Sequence, residues 1–132
     1  MKDGYAYFEA AESIEVDFNI KPRLVVSAPG VHENAGKVAL MYGPVAYCFE
    51  GVDNEGDIFG LSVDAKTCFD VDMSDYFGLP TITANGYAKV DTGVLYPTLD
   101  STKYEEQIIK FIPYYGMENR GETDMLVWIP VK

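Results

Sequence analysis

The feature that most constrains this chain is alternation. In SIEVDFNIKPRLVVS the apolar residues Ile14, Val16, Phe18 and Ile20 alternate with Glu15, Asp17 and Asn19. A period of two means a strand with one dry face and one wet face. The pattern recurs along the chain, and the apolar residues suit it: ten Tyr, seven Phe and many Val and Ile, all strand formers. Twelve Gly and seven Pro supply turns between the runs.

Read in order, the expected strands are Ile14–Ile20 and Leu24–Ser27, with Pro22 marking a bend or an edge between them. Lys37–Tyr42 and Val45–Glu50 follow, joined or bent at Gly43-Pro44, and then Asp57–Val63 and Thr67–Met73. Ile82–Val90 is strand-like around a weak turn or bulge at Asn85-Gly86. Lys103–Lys110 is the one stretch where a helix competes, and Asp124–Val131 closes the chain with Trp128. Asp91–Thr102 reads as loop. About eight to ten short strands at this spacing predict an all-β fold, an antiparallel, jelly-roll-like β-sandwich. With 132 residues, 48% of them apolar, the chain is expected to form one domain over 1–132.

Charge narrows the partners. A net charge of −11 argues against nucleic acid as a partner, since phosphate binding needs a cationic face, and disfavours an anionic membrane. No apolar run is long enough to span a bilayer. The N-terminal stretch MKDGYAYFEAAES lacks a signal-peptide h-region, which favours a cytoplasmic setting if Met1 is the natural start.

Candidate chemistry is sparse. Cys48 (AYCFE) and Cys68 (TCFDV) sit in apolar contexts and read as two buried core residues, with a mutual disulfide as the alternative. Glu50 and Asp53 follow the strand Val45–Phe49, and a glycosidase needs two carboxylates, but at a strand end and a turn such residues more often serve solvation and capping. His32 is the sole histidine and lies in a turn-rich segment, so a Ser-His-Asp triad would rest on it alone. One His and two Cys are too few for a zinc site without carboxylates. Two acidic clusters, Asp53-Asn54-Glu55-Gly56-Asp57 and Asp70, Asp72, Asp75, carry oxygen ligands of the kind calcium takes, without the regular EF-hand spacing. No cofactor or metal is expected. Tyr114, Tyr115 and Trp128 are the aromatic candidates for contact with a sugar or with a neighbouring domain.

Two segments carry a resemblance. PGVHENAGKVALMYGPVAYCFEGVDN, residues 29–54, is similar to a pattern E-N-x-G-K-V-A-L, a G-P-x-x-Y-C strand, then E-x-x-D-N. FIPYYGMENRGETDMLVWIPVK, residues 111–132, is similar to I-P-Y-Y, N-R-G and M-x-V-W-I. GYAYFEAAESIEVDFNIKPR resembles the strand pair preceding the first pattern. Together they resemble the C-terminal part of glycoside hydrolase family 127, the β-L-arabinofuranosidase family. The resemblance implies a parent several times longer, with an (α/α)6 barrel that holds the acid/base Glu, the nucleophilic Cys and the zinc ligands, followed by β-sandwich domains. No residue here matches those motifs, and Cys48 belongs to the G-P-x-x-Y-C strand. Gly116-Met117 departs from the family pattern, where an aromatic is expected after the Tyr pair.

The resulting expectation is an accessory β-sandwich without catalytic residues. The upstream barrel is its main partner, and a second copy or a carbohydrate are further ones. The alternative is an independent carbohydrate-binding module. A module detached from its neighbour is expected to expose apolar surface.

Overall fold

The computed structural model describes residues 3–9, 12–76 and 78–132. Its nine strands are β1 (Pro22–Val25), β2 (Lys37–Tyr42), β3 (Val45–Glu50), β4 (Leu61–Val63), β5 (Phe69–Tyr76), β6 (Leu79–Lys89), β7 (Tyr104–Pro113), β8 (Met125–Leu126) and β9 (Trp128–Pro130). Every ladder between them is antiparallel. Helical structure among the described residues is limited to 3-10 turns of three residues. The all-β expectation holds.

Strand β3 makes the corner of the sandwich. Its first residues pair with β2 (Val45 with Tyr42, Ala46 with Met41), and its next two pair with β7 (Tyr47 with Pro113, Cys48 with Ile112). One layer is β1, β2 and β9; the other is β4, β5, β6 and β7. Where the β2–β3 hairpin opens, β9 takes the edge of β2 and β8 takes β3. A parallel bridge from Val63 to Val131 joins the layers at the opposite corner, with the Lys132 N–H donating to the Val63 carbonyl at 2.9 Å. Leu40, Tyr47, Phe49, Ile82, Phe111 and Ile129 fill the space between them. The Phe49 and Phe111 rings meet edge-on with centroids 5.6 Å apart. Such a pair contributes about 0.5–1.5 kcal/mol beyond its buried area.

Two glycines are required by geometry. Gly43 has φ +58° at the first central position of the two-residue β2–β3 turn, where a side chain would be strained. Gly86 lies in the middle of β6, and a Cβ there would come within 2.7 Å of the Ser62 carbonyl oxygen and 2.3 Å of Ile109 Cδ1. The Asn85-Gly86 turn or bulge expected from the sequence is therefore absent. β6 runs straight through, and the glycine serves close approach of β4 and β7.

Other departures have physical causes. Asp57–Val63 is strand only from Leu61; the Asp57 carboxylate accepts the Phe59 N–H at 2.9 Å and caps a 3-10 turn, Ile58–Gly60. Tyr104–Pro113 resolves the competition at Lys103–Lys110 in favour of strand, because eight consecutive residues pair with β6. The alternating run Ile14–Ile20 is not a strand of this sandwich. Asn19 has φ +46° and its N–H donates to Asp17 Oδ1 at 2.7 Å, so the chain kinks there. Residues 12–21 form no ladder, and both sides of the run are exposed.

The register fixes which parts share an end. Pro22 pairs with Tyr42 next to the Gly43-Pro44 turn, and the Ile20 side chain packs over Gly43. At the same end, Tyr47 pairs with Pro113 and its hydroxyl donates to the Pro80 carbonyl at 2.8 Å. The 3-10 turn Tyr114–Gly116 follows Pro113 directly. The arm before β1 and the pair Tyr114-Tyr115 thus leave from one pole. The loop between β6 and β7 lies at the other, beyond Lys89 paired with Tyr104.

Candidate functional site

The acidic pair after β3 lies at the centre of a polar cluster. Glu50 is fully buried, on the side of the β3–β7 ladder away from the core. Its Oε2 accepts from Arg120 Nη2 at 2.5 Å, and its Oε1 accepts the Glu118 backbone N–H at 2.5 Å. Asp53 accepts from Arg120 through both carboxylate oxygens and from Lys110 Nζ at 3.1 Å. The Asn54 amide completes the cluster. It donates to the Glu50 and Lys110 carbonyls and accepts the Lys110 N–H at 2.9 Å. The solvation role expected at this strand end is overturned for Glu50, which is fully buried, while Asp53 is half-buried; both are partners of one guanidinium.

Electrostatics follow from this packing. Burial alone would raise the Asp53 carboxyl, but hydrogen bonds from Arg120 and Lys110 outweigh it and hold it below the ordinary value of 3.8. The hydrogen bond to Asp53 leads the opposing effect on Arg120, which is pushed above its already high range. Its guanidinium also stacks over the Tyr76 ring at 5.4 Å. A general acid must carry an exchangeable proton near neutral pH. Asp53 stays ionised there, with its oxygens occupied by cations.

The thiols separate. Cys48 is fully buried, and burial together with the Glu50 carboxylate pushes it up to about 12. It carries no thiolate near neutrality and is inert. Cys68, expected in the core, is exposed just before β5; both cysteines are free, which removes the disulfide alternative. His32 is exposed in the 3-10 turn His32–Asn34.

Several members of the two acidic clusters are engaged locally. Asp53 and Asn54 belong to the Arg120 cluster and Asp57 caps a turn, while Asp72 accepts the Ser74 N–H at 2.9 Å. Among the described residues no group of three or more His, Cys, Asp or Glu is arranged to hold a metal ion.

The aromatic candidates fall on different elements. Tyr114 and Tyr115 are 42% and 53% exposed at the arm's pole. Trp128 pairs with Ala39 on β9, while the neighbouring pair Ile129–Val38 faces the core, so alternation directs the indole outward at intermediate exposure. The structure does not bring Trp128 onto one element with the two tyrosines.

A groove of about 700 Å³ runs over β6 and β7, lined by Cys68, Asn85, Tyr87, Glu106 and Ile108 among others. Its aromatic is already engaged: Lys132 Nζ sits 3.8 Å from the Tyr87 ring centre and 4.3 Å from that of Tyr104. Sequence reasoning missed Arg120 as the hub and Asn54 as the buried amide. Both stood inside the quoted patterns, in N-R-G and E-x-x-D-N, which meet in space although Glu50 and Arg120 are 70 residues apart.

Fold and cluster together define an antiparallel β-sandwich domain stapled on one outer face by a buried carboxylate–guanidinium network. The chain belongs to the glycoside hydrolase family 127 C-terminal domain family, whose model matches residues 22–130. It is 29% identical to a non-reducing end β-L-arabinofuranosidase of Bifidobacterium longum subsp. longum, over 97% of this chain and 21% of that protein. It superposes on a GH127 β-L-arabinofuranosidase from Geobacillus stearothermophilus T6 with a TM-score of 0.79 and 30% identity, covering 86% of this chain and 18% of that one. A second GH127 β-arabinofuranosidase gives 0.72 at 30% identity, covering 86% and 17%. The chain thus spans about a fifth of the length of these relatives.

Proposed function

We propose that this chain is a non-catalytic accessory domain of a larger β-L-arabinofuranosidase-like glycoside hydrolase, packed against the domains that precede it. The observation that carries this reading is the match to the family's C-terminal domain, at about a fifth of the length of the relatives. The state of the chemically interesting residues supports it. Glu50, Asp53 and Cys48 are used in holding the fold together, and nothing about them is poised for proton or glycosyl transfer.

The surface also supports a docked role. Tyr5, Tyr7 and Phe8, with Ile14, Val16 and Phe18 after them, are all more than half exposed along the arm. Leu95, Tyr96 and Leu99 are over 80% exposed in the β6–β7 loop. Apolar surface of this kind marks contact with another body. On this reading Tyr114 and Tyr115, beside the arm, are domain contacts.

The test has two parts. An antibody against the chain should detect, in source-cell extract, a polypeptide several times heavier than 14.7 kDa. The isolated chain should not hydrolyse a chromogenic β-L-arabinofuranoside above the buffer rate. Turnover by the isolated chain, or a band only at its own mass, would sink the proposal.

A further inference from the structure

The segment Ser13–Phe18 has a strand's sequence and, among the described residues, no strand partner. In an extended strand Ile14, Val16 and Phe18 would face one way and Glu15 and Asp17 the other, yet Phe18 is 80% exposed and Ile14 and Val16 are more than half exposed. A solvated loop gains nothing from strict alternation of β-branched and aromatic residues with carboxylates. Such a pattern matches a pleated surface with one dry side.

Its own sandwich cannot supply that surface. The first ladder begins at Pro22, opposite Tyr42, the last residue of β2. Beyond it lies only the Gly43-Pro44 turn, over which Ile20 packs, and the kink at Asn19 redirects the chain before Phe18 is reached. Residues 13–18 therefore lie before the first rung of the β1–β2 ladder and outside it.

The comparisons bear on where it belongs. The C-terminal domain match starts at residue 22, whereas the Bifidobacterium longum relative aligns over 97% of the chain, which leaves too few residues unaligned to omit the arm. The arm thus aligns with the relative while lying ahead of the residues that the C-terminal domain model covers in this chain. We propose that Ser13–Phe18 is a β-strand of the sheet of the preceding domain in the same polypeptide, with Ile14, Val16 and Phe18 buried there and Glu15 and Asp17 on the wet face. This inference rests on the accessory-domain reading. It makes the boundary at Lys21-Pro22 a strand-to-strand crossing between two sheets, so the two domains share one covalent tie and one hydrogen-bonded ladder.

Amide hydrogen exchange tests it, on the 132-residue chain and on the intact parent polypeptide from source cells. In the short chain the amides of residues 14–18 should exchange at close to unstructured rates. In the parent they should slow by roughly a hundredfold or more, as for a paired strand. Val16→Asp should leave the unfolding midpoint of the short chain within about 1 °C, since the side chain is exposed there, and should abolish the protection in the parent. A heavy parent with unprotected 14–18 amides would overturn the strand and leave the accessory reading standing. Absence of any heavier polypeptide would overturn both. Concentration-dependent protection in the short chain would assign the strand to a second copy and overturn the proposal.

Discussion

Replacing Arg120 by Met is the sharpest test of the polar cluster. The substitution keeps the aliphatic stem and removes the guanidinium that pairs with both Glu50 and Asp53. Asp53 retains Lys110 at 3.1 Å, so it is not stranded. Glu50 is left fully buried with only the Glu118 N–H. Removing one partner of a buried pair costs about 3–5 kcal/mol, most of it the penalty of an uncompensated charge. Arg120 is itself 30% exposed, so water can reach part of the vacated space and the lower end, about 3 kcal/mol, applies. For a domain of this size each kcal/mol moves the midpoint by roughly 3 °C, which gives a fall of about 10 °C. Calorimetry or far-UV circular dichroism at pH 7 would read it. The second half of the argument lies in the double variant Arg120→Met/Glu50→Gln. If the cost is charge burial, the neutral amide should restore at least about 1 kcal/mol, although it adds no partner. A midpoint within 2 °C of wild type for Arg120→Met, or a double variant no better than the single one, would refute the reasoning.

Three further outcomes follow from the same geometry. Because the Asp53 carboxyl is held below 3.8, its stabilisation is present at neutral pH and lost as pH falls through the lowered value; Asp53→Asn should therefore narrow the gap to wild type steadily below about pH 4, as followed by urea midpoints against pH. With Cys48 buried and pushed up to about 12, a thiol reagent at pH 8 should label one cysteine in the native chain and two in denaturant, and Cys68→Ser should abolish the native label. Gly86→Ala would force a Cβ against the Ser62 carbonyl and Ile109, and overpacking of this kind should lower stability by about 2 kcal/mol in a urea titration.

Much of this was legible in the residues, and for a stated reason. Val45–Glu50 read as a strand because its environment matches its composition: Tyr47 and Phe49 belong to the core, and Cys48 and Glu50 are buried too, Glu50 against the turn carrying Glu118 and Arg120. The Gly43-Pro44 turn was legible because glycine adopts φ +58° without the strain a side chain would bring. Arg120 was not. Its quoted neighbours, Asn119 and Gly121, mark a turn, and nothing local tells an arginine in a turn that two carboxylates 70 and 67 residues earlier will face it. The same holds for Cys68, whose apolar flanks suggested a core position while the strand it precedes turns that residue to solvent.

The arm shows what alternation does and does not report. A period of two records that a segment is meant to lie between a dry and a wet environment; it carries no information about which body supplies the dry one. For β6 the partners are strands of the same sandwich, and Ile82 and Ala84 are buried as the pattern requires. For Ile14, Val16 and Phe18 the pattern is equally regular and the side chains are exposed. The difference lies at Asn19, where a left-handed residue takes the chain off the line of β1, just past the last rung at Pro22 and Tyr42. Local sequence can mark such a kink, since Asn tolerates positive φ better than most residues and its N–H here closes on Asp17. The strand pattern around Asp17, Asn19 and Pro22 is thus broken before β1 begins, and residues 13–18 do not continue it.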